Sequence, residues 1–201
     1  IYLYLTYYAE RNSELAILMV NTLIKDCQDD DPVIRSLALR SSSSLKVPIM
    51  AEYMESILKQ GIQDPIGYVR KTAVMGCLKF FQHFKQEFLE TSLLDTLQSM
   101  LEIETDPNTI INLIYSLNEI YQKTQGALFP TEFLLKILSN LNLFSEWGQS
   151  AILRLLLHSI IPSLNMNPPD SETCDSPLIY QIMNSLEQVL KFSSVHVLML
   201  S

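Results

Sequence analysis

Asp29-Asp30-Asp31-Pro32-Val33-Ile34-Arg35-Ser36-Leu37-Ala38 returns as a recognisable copy at Asp64-Pro65-Ile66-Gly67-Tyr68-Val69-Arg70-Lys71-Thr72-Ala73. Aligned on their arginines, the copies lie 35 residues apart. Each carries an Asp six residues before the Arg, an aliphatic residue just before it and an Ala three after it. A period of this size, built from paired helices, is what a stacked helical solenoid writes into its sequence. Two ordinary amphipathic helices with a surface ion pair would not share so many fixed offsets.

Each part of the pattern has a physical reason. Asp31 or Asp64 can cap a helix that opens with Pro32 or Pro65, because proline lacks only an amide hydrogen that no helical carbonyl would accept. Val33, Ile34, Leu37 and Leu39 in the first copy, and Val69, Ala73, Val74 and Cys77 in the second, recur at helical spacing and predict one apolar face each. The alanines allow close approach of a neighbouring helix. Arg35 and Arg70 are expected to form a ladder with Asp29 and Asp64 between stacked units, each acid facing its own or an adjacent arginine. A third copy is weaker: Asp106-Pro107 restarts a helix, but Ile110 stands where the arginine would be.

Composition points the same way. With 201 residues, 48% hydrophobic and 18% charged, the chain has the balance of a globular protein. Five glycines are too few for a turn-rich sheet protein, and no long segment alternates with period two. Cys27, Cys77 and Cys174 are scattered and make neither a disulfide framework nor a metal-ligand cluster, which suits a reducing compartment. Residues 1–85 hold 10 Lys and Arg against 9 Asp and Glu, whereas residues 86–201 hold 4 against 13. An acidic second half argues against nucleic acid and against direct adhesion to an anionic bilayer, leaving contact with other proteins. No apolar run is long enough to span a membrane.

Along the chain, Ile1 to Tyr8 reads as the tail of a buried helix. Helices are then expected over 13–27, 32–45, 48–61, 65–84, 88–103, 108–125, 131–141, 145–161 and 177–191, with a polar, proline-rich loop at 165–173 and another helix over 195–200. The knot Phe80-Phe81-Gln82-His83-Phe84 reads as core between repeats. The architecture expected is all-α: an α-α superhelix, a HEAT/armadillo-like solenoid of about five antiparallel helix pairs. Residues 1–201 read as one trunk truncated at both ends.

Residues that could carry chemistry do not assemble. His83, His158 and His196 sit in no ligand spacing with another His, Cys or acid. No phosphate-cradling glycine loop and no nucleophile elbow is present. Adjacent acids at 29–31 diverge at a helix start and serve capping and dipole compensation better than calcium. No catalytic residue, cofactor or metal is expected.

Four motifs in order carry a resemblance: Val20-Asn21-Thr22-Leu23-Ile24-Lys25-Asp26-Cys27, the Asp-Pro-x-Ile-Arg-x-Leu-Ala-x-Arg run at 31–40, Tyr68-Val69-Arg70-Lys71-Thr72-Ala73, and Glu146-Trp147-Gly148-Gln149. Together they resemble the amino-terminal trunk of beta-type large subunits of adaptor protein complexes. Leu37 to Ser41, Ser116 to Ile120, Trp147 to Ala151 and Leu190 to Ser194 are most similar to the beta subunit of the fourth adaptor complex. The resemblance implies a non-enzymatic coat component that sorts cargo at the trans-Golgi network or endosomes. It is then cytoplasmic and peripheral on those membranes through its complex, without a clathrin box or appendage in this stretch. The implied partners are the other large, medium and small adaptor subunits and an Arf-type GTPase in its GTP form. Carried over by position, Ile17 and Val20 match aliphatic contacts to the GTPase switch regions. A generic scaffold of the same architecture, such as a phosphatase regulatory or nuclear-transport subunit, is the alternative.

Overall fold

The computed structural model describes residues 2–9, 11–124, 129, 137–138, 140–146, 148–153, 155, 184 and 187, the side chains of 3, 5, 13–17 and 142 excepted. Eight α-helices appear among them: α1 (Tyr2–Ala9), α2 (Ser13–Asp26), α3 (Pro32–Ser42), α4 (Pro48–Ile62), α5 (Gly67–His83), α6 (Lys85–Glu90), α7 (Leu93–Ile103) and α8 (Pro107–Thr124). The chain falls into two units, Ile1–Ile120 and Tyr121–Ser201.

In the first unit the helices form two rows. α3 packs on α1 and α5, and hydrogen bonds from Thr109 to the Gly67 carbonyl (3.3 Å) and from Asn112 to the Lys71 carbonyl (3.4 Å) set α8 against α5. α4 packs between α2 and α7 in the other row, and α2·α3 and α4·α5 contacts join the rows. This is the helix-pair packing of a HEAT/armadillo-like solenoid: each helix buries one side on its pair and others on the preceding and following repeats.

Close approach is set by small residues. Ala38 and Ala73 are fully buried. A Cβ on Gly61 would stand 2.8 Å from the Ala73 Cβ and 2.9 Å from a Leu39 methyl, so α4 meets α5 and α3 where no side chain fits. Beyond this point α5 becomes aromatic. Phe88 of α6 meets Phe80 at 5.8 Å and Phe81 at 5.5 Å between ring centroids, both edge-on, and all three are buried. The aromatic cluster is core.

The expected boundaries need four corrections. Asp31 caps α3 as read, its carboxylate accepting from the Val33 amide at 2.8 Å. The second copy starts later: α5 opens at Gly67, with Ile66 at its N-cap, because Asp64 occupies the place of Asp29 rather than of Asp31. Second, α3 buries Ser36, Ala38, Leu39, Ser41 and Ser42, while Val33 and Leu37 are exposed. Its core face is rotated from the apolar one and takes in small residues, serines among them. Ser36 donates to the Pro32 carbonyl (2.6 Å) and, just past the helix, Ser43 donates to that of Leu39 (2.6 Å), so each passes as a small core residue. Third, α3 ends at Ser42 instead of continuing to Leu45. Fourth, the helix expected over 88–103 is two. The chain breaks at Thr91, whose hydroxyl donates to the Phe88 carbonyl at 2.7 Å, and Ser92, whose amide reaches Glu55 at 3.3 Å.

In the second unit Tyr121 meets Phe129 edge-on at 5.8 Å. The helix expected over 131–141 shows helical residues at 137–138, but Leu141–Leu143 is a short 3-10 turn. Ser145 receives the Gly148 amide at 3.3 Å, and the Gln149 side chain donates to the Leu141 and Phe144 carbonyls at 3.3 and 3.1 Å. Ile152 and Leu155 are buried. The 165–173 loop and the 195–200 helix lie outside the described residues, as do Trp147, His158, Cys174, His196 and all of 177–191 but 184 and 187.

Candidate protein-interaction surface

Arg35 and Arg70 do the same work at equivalent places. Nη1 of Arg35 donates to the carbonyls of Asp29 (2.8 Å) and Asp30 (2.9 Å), closing the loop that leads into its own helix. Its other edge reaches forward to the next loop, Nε and Nη2 donating to the Asp64 carboxylate at 2.8 and 3.1 Å. Arg70 repeats this one unit on. It donates to the carbonyls of Asp64 (3.0 Å) and Pro65 (2.9 Å) and, bidentately, to Glu104 at 2.8 Å for both bonds.

The acids are equivalent as well. Asp29, Asp64 and Glu104 each accept the amide two residues on, from Asp31, Ile66 and Asp106, at 2.8, 2.9 and 2.9 Å. Asp29 supplies its carbonyl to Arg35, while its carboxylate is used by this turn. The forward acid of the second rung, Glu104, is not in the sequence reading. Its signal was present, because Glu104-Thr105-Asp106-Pro107 places an acid and a helix-opening proline at the offsets of Asp29 and Pro32. The ladder then stops, since Ile110 replaces the next arginine.

The Arg70–Glu104 pair is shielded, with side-chain exposures of 19% and 3%. Burial alone would raise the Glu104 carboxyl. Arg70 and the amides of Asp106 and Thr105 outweigh it and hold that carboxyl below its ordinary value. Both arginines are pushed further toward the charged form, first by their hydrogen bonds to the acid ahead. Two parallel N–H···O bonds fix direction as well as distance, so the ladder sets how one helix pair is placed on the next.

On α2, Val20 and Leu23 face the core; Val20 is 2% exposed. Leu18 is 72% exposed, and Asn21, Thr22 and Lys25 are exposed beside it. The Ile17 backbone belongs to α2, but its side chain lies outside the described residues. At the other edge, a cleft of about 500 Å³ runs past Arg70, Glu104 and Ile103, the last 78% exposed. Cys27 and Cys77 are buried free thiols, and burial pushes Cys27 up to about 12. Among the described residues no group of His, Cys, Asp and Glu has the arrangement of a metal site, and no helix is long and apolar enough to cross a membrane.

Stacked helix pairs, a polar ladder binding one loop to the next, and apolar side chains left on the outer faces define a helical-repeat scaffold. The chain belongs to the family of the adaptin N-terminal region, whose model matches residues 1–200. It is 34% identical to the AP-4 complex subunit beta-1 of Mus musculus over 99% of this chain and 25% of that protein. It is 36% identical to the AP-4 complex subunit beta of Dictyostelium discoideum over 78% of this chain and 17% of that one. The AP-1 complex subunit beta-1 of Homo sapiens is 35% identical over 78% of this chain and 17% of that protein. The chain thus spans a quarter or less of the curated relatives it matches.

Proposed function

We propose that this chain is a trunk segment of a beta-type large subunit of a vesicle-coat adaptor complex, of the kind found in the fourth complex, and that it acts as a non-enzymatic scaffold. The observation that carries this reading is the family match, which runs across residues 1–200 without a break and supports taking the chain as one trunk. The relatives, beta subunits of two adaptor complexes, support the type of subunit. Its partners are the other large, medium and small adaptor subunits, and it reaches trans-Golgi or endosomal membranes peripherally, through that complex.

The contact with an Arf-type GTPase in its GTP form is assigned to the α2 stretch from Ile17 to Val20. The exposed Leu18 supplies an apolar contact there, and the buried Val20 supports the surface from beneath. Affinity purification of the tagged protein from cells tests the scaffold reading. Adaptor medium and small subunits are expected; a phosphatase catalytic subunit or nuclear import cargo in their place overturns it. For the GTPase, Ile17→Asp with Leu18→Asp is expected to abolish capture by a GTP-locked Arf while those adaptor subunits are retained. Unchanged capture rejects the α2 assignment.

A further inference from the structure

A groove of about 350 Å³ lies on the α3, α5 and α8 row, away from the ladder loops. Arg40 of α3 and Lys71 and Lys79 of α5 line it, and no acidic side chain does. None of the three cations is in a salt bridge among the described residues. Lys71 stands over the Tyr68 ring at 4.9 Å, and Lys79 donates to the Ser44 hydroxyl at 2.7 Å. Between the charges Leu37, Tyr68 and Met75 form an apolar patch beside the polar Ser36, Ser43, Thr72 and Asn112. Leu37 and Tyr68 are exposed although large.

Helix-end compensation does not explain this set. The negative end of a helix is equivalent to about half a charge, and Arg40 in the last turn of α3 already answers it. Lys79 adds a second cation beside the same end through Ser44. Lys71 lies one turn into α5, near the wrong end of its helix for compensation. The arrangement is also self-opposing. Burial first, and then the Arg40 charge, push the Lys79 amine below its ordinary value, so its positive form is short of a counter-charge.

We propose that this groove docks an acidic, extended segment of a partner protein, with one apolar side chain seated against Leu37, Tyr68 and Met75 and flanking carboxylates on Arg40, Lys71 and Lys79. Charge complementarity selects an anionic occupant. The patch of Leu37, Tyr68 and Met75 favours a peptide with one apolar side chain over a phosphate cluster, which would leave that patch wet. This surface is separate from the α2 stretch, so it binds independently of the GTPase contact.

The test uses the full chain and a fluorescent nine-residue peptide of Asp and Glu with one central Leu, followed by anisotropy. Arg40→Glu with Lys71→Glu is expected to weaken binding by at least about ten-fold, because paired charges set both attraction and register. Lys46→Glu with Lys85→Glu makes the same change in net charge elsewhere and is expected to stay within about two-fold. Replacing the peptide's Leu by Ser is expected to cost several-fold. Circular dichroism checks that both variants fold. Equal weakening by both variants means a net-charge effect and overturns the proposal. So does groove-dependent binding of inositol hexakisphosphate or phosphatidylserine vesicles without binding of the peptide. These outcomes do not depend on which subunits co-purify, so the proposal and the adaptor reading can fail separately.

Discussion

α3 and α5 are copies in their loops and strangers in their cores. The arginine of each closes its own loop through two carbonyls and reaches the acid of the next, with almost the same distances. Yet where α3 buries Ser41 and Ser42, α5 buries Gly76 and Cys77, and where Leu45 ends the first copy, Phe80 fills the second. The loop clasp is therefore what makes the repeat, because it fixes where each helix starts. The core needs only matching volume, and small side chains supply it in both copies, serine in the first and glycine or cysteine in the second.

Removing core from each copy in turn is the strongest way to stress this contrast. Phe80→Ala is expected to cost about 3–5 kcal/mol in chemical denaturation, since it opens a cavity beside Phe84 and Phe88. Leu45→Ala, at the equivalent place in the first copy, is expected to cost less, about 2–3 kcal/mol. Equal losses would mean that the two cores are not as different as their residues.

Gly61 sharpens the comparison from between the copies. Gly61→Ala gains up to about 1 kcal/mol of helix propensity but puts a Cβ 2.8 Å from that of Ala73, which cannot rotate away. A net loss of about 1–2 kcal/mol is expected, read as a lower denaturation midpoint. A gain would show that α4 and α5 can separate without penalty.

The smallest effect depends on pH. The Glu104 carboxyl lies below its ordinary value of 4.5 in the folded chain, so in acid the unfolded state binds more protons. Its stabilisation is present above about 4.5 and is lost as pH falls through the folded value. The stability difference between the protein and Glu104→Gln is expected to shrink by up to about 1 kcal/mol between pH 6 and pH 3. A constant difference would mean that the ionised form is not favoured by Arg70.

The arginines and the acids before them were legible in the sequence, because a fixed offset survives whatever the core contains. Glu104 was missed for two reasons: its side chain differs from Asp, and α6 stretches the spacing from the previous acid to 40 residues from 35. The buried face of α3 was misread because periodicity weighs a serine as polar, whereas Ser36 bonds back to the Pro32 carbonyl and Ser41 and Ser42 are small enough to be buried. The contact proposed for α2 rests on the family resemblance alone. Burial separates the exposed Leu18 from the core-facing Val20, which the resemblance by position does not do.

A double-mutant cycle at the second rung puts the clasp to its most direct trial. Arg70→Met, Glu104→Gln and the pair together are compared by chemical denaturation. The account predicts single losses of about 1–3 kcal/mol and a coupling of at least about 1 kcal/mol, since each partner stays shielded when the other is removed. Losses that simply add would mean that the arginine and the acid ahead of it act separately, and the repeat would have to be held by its core alone.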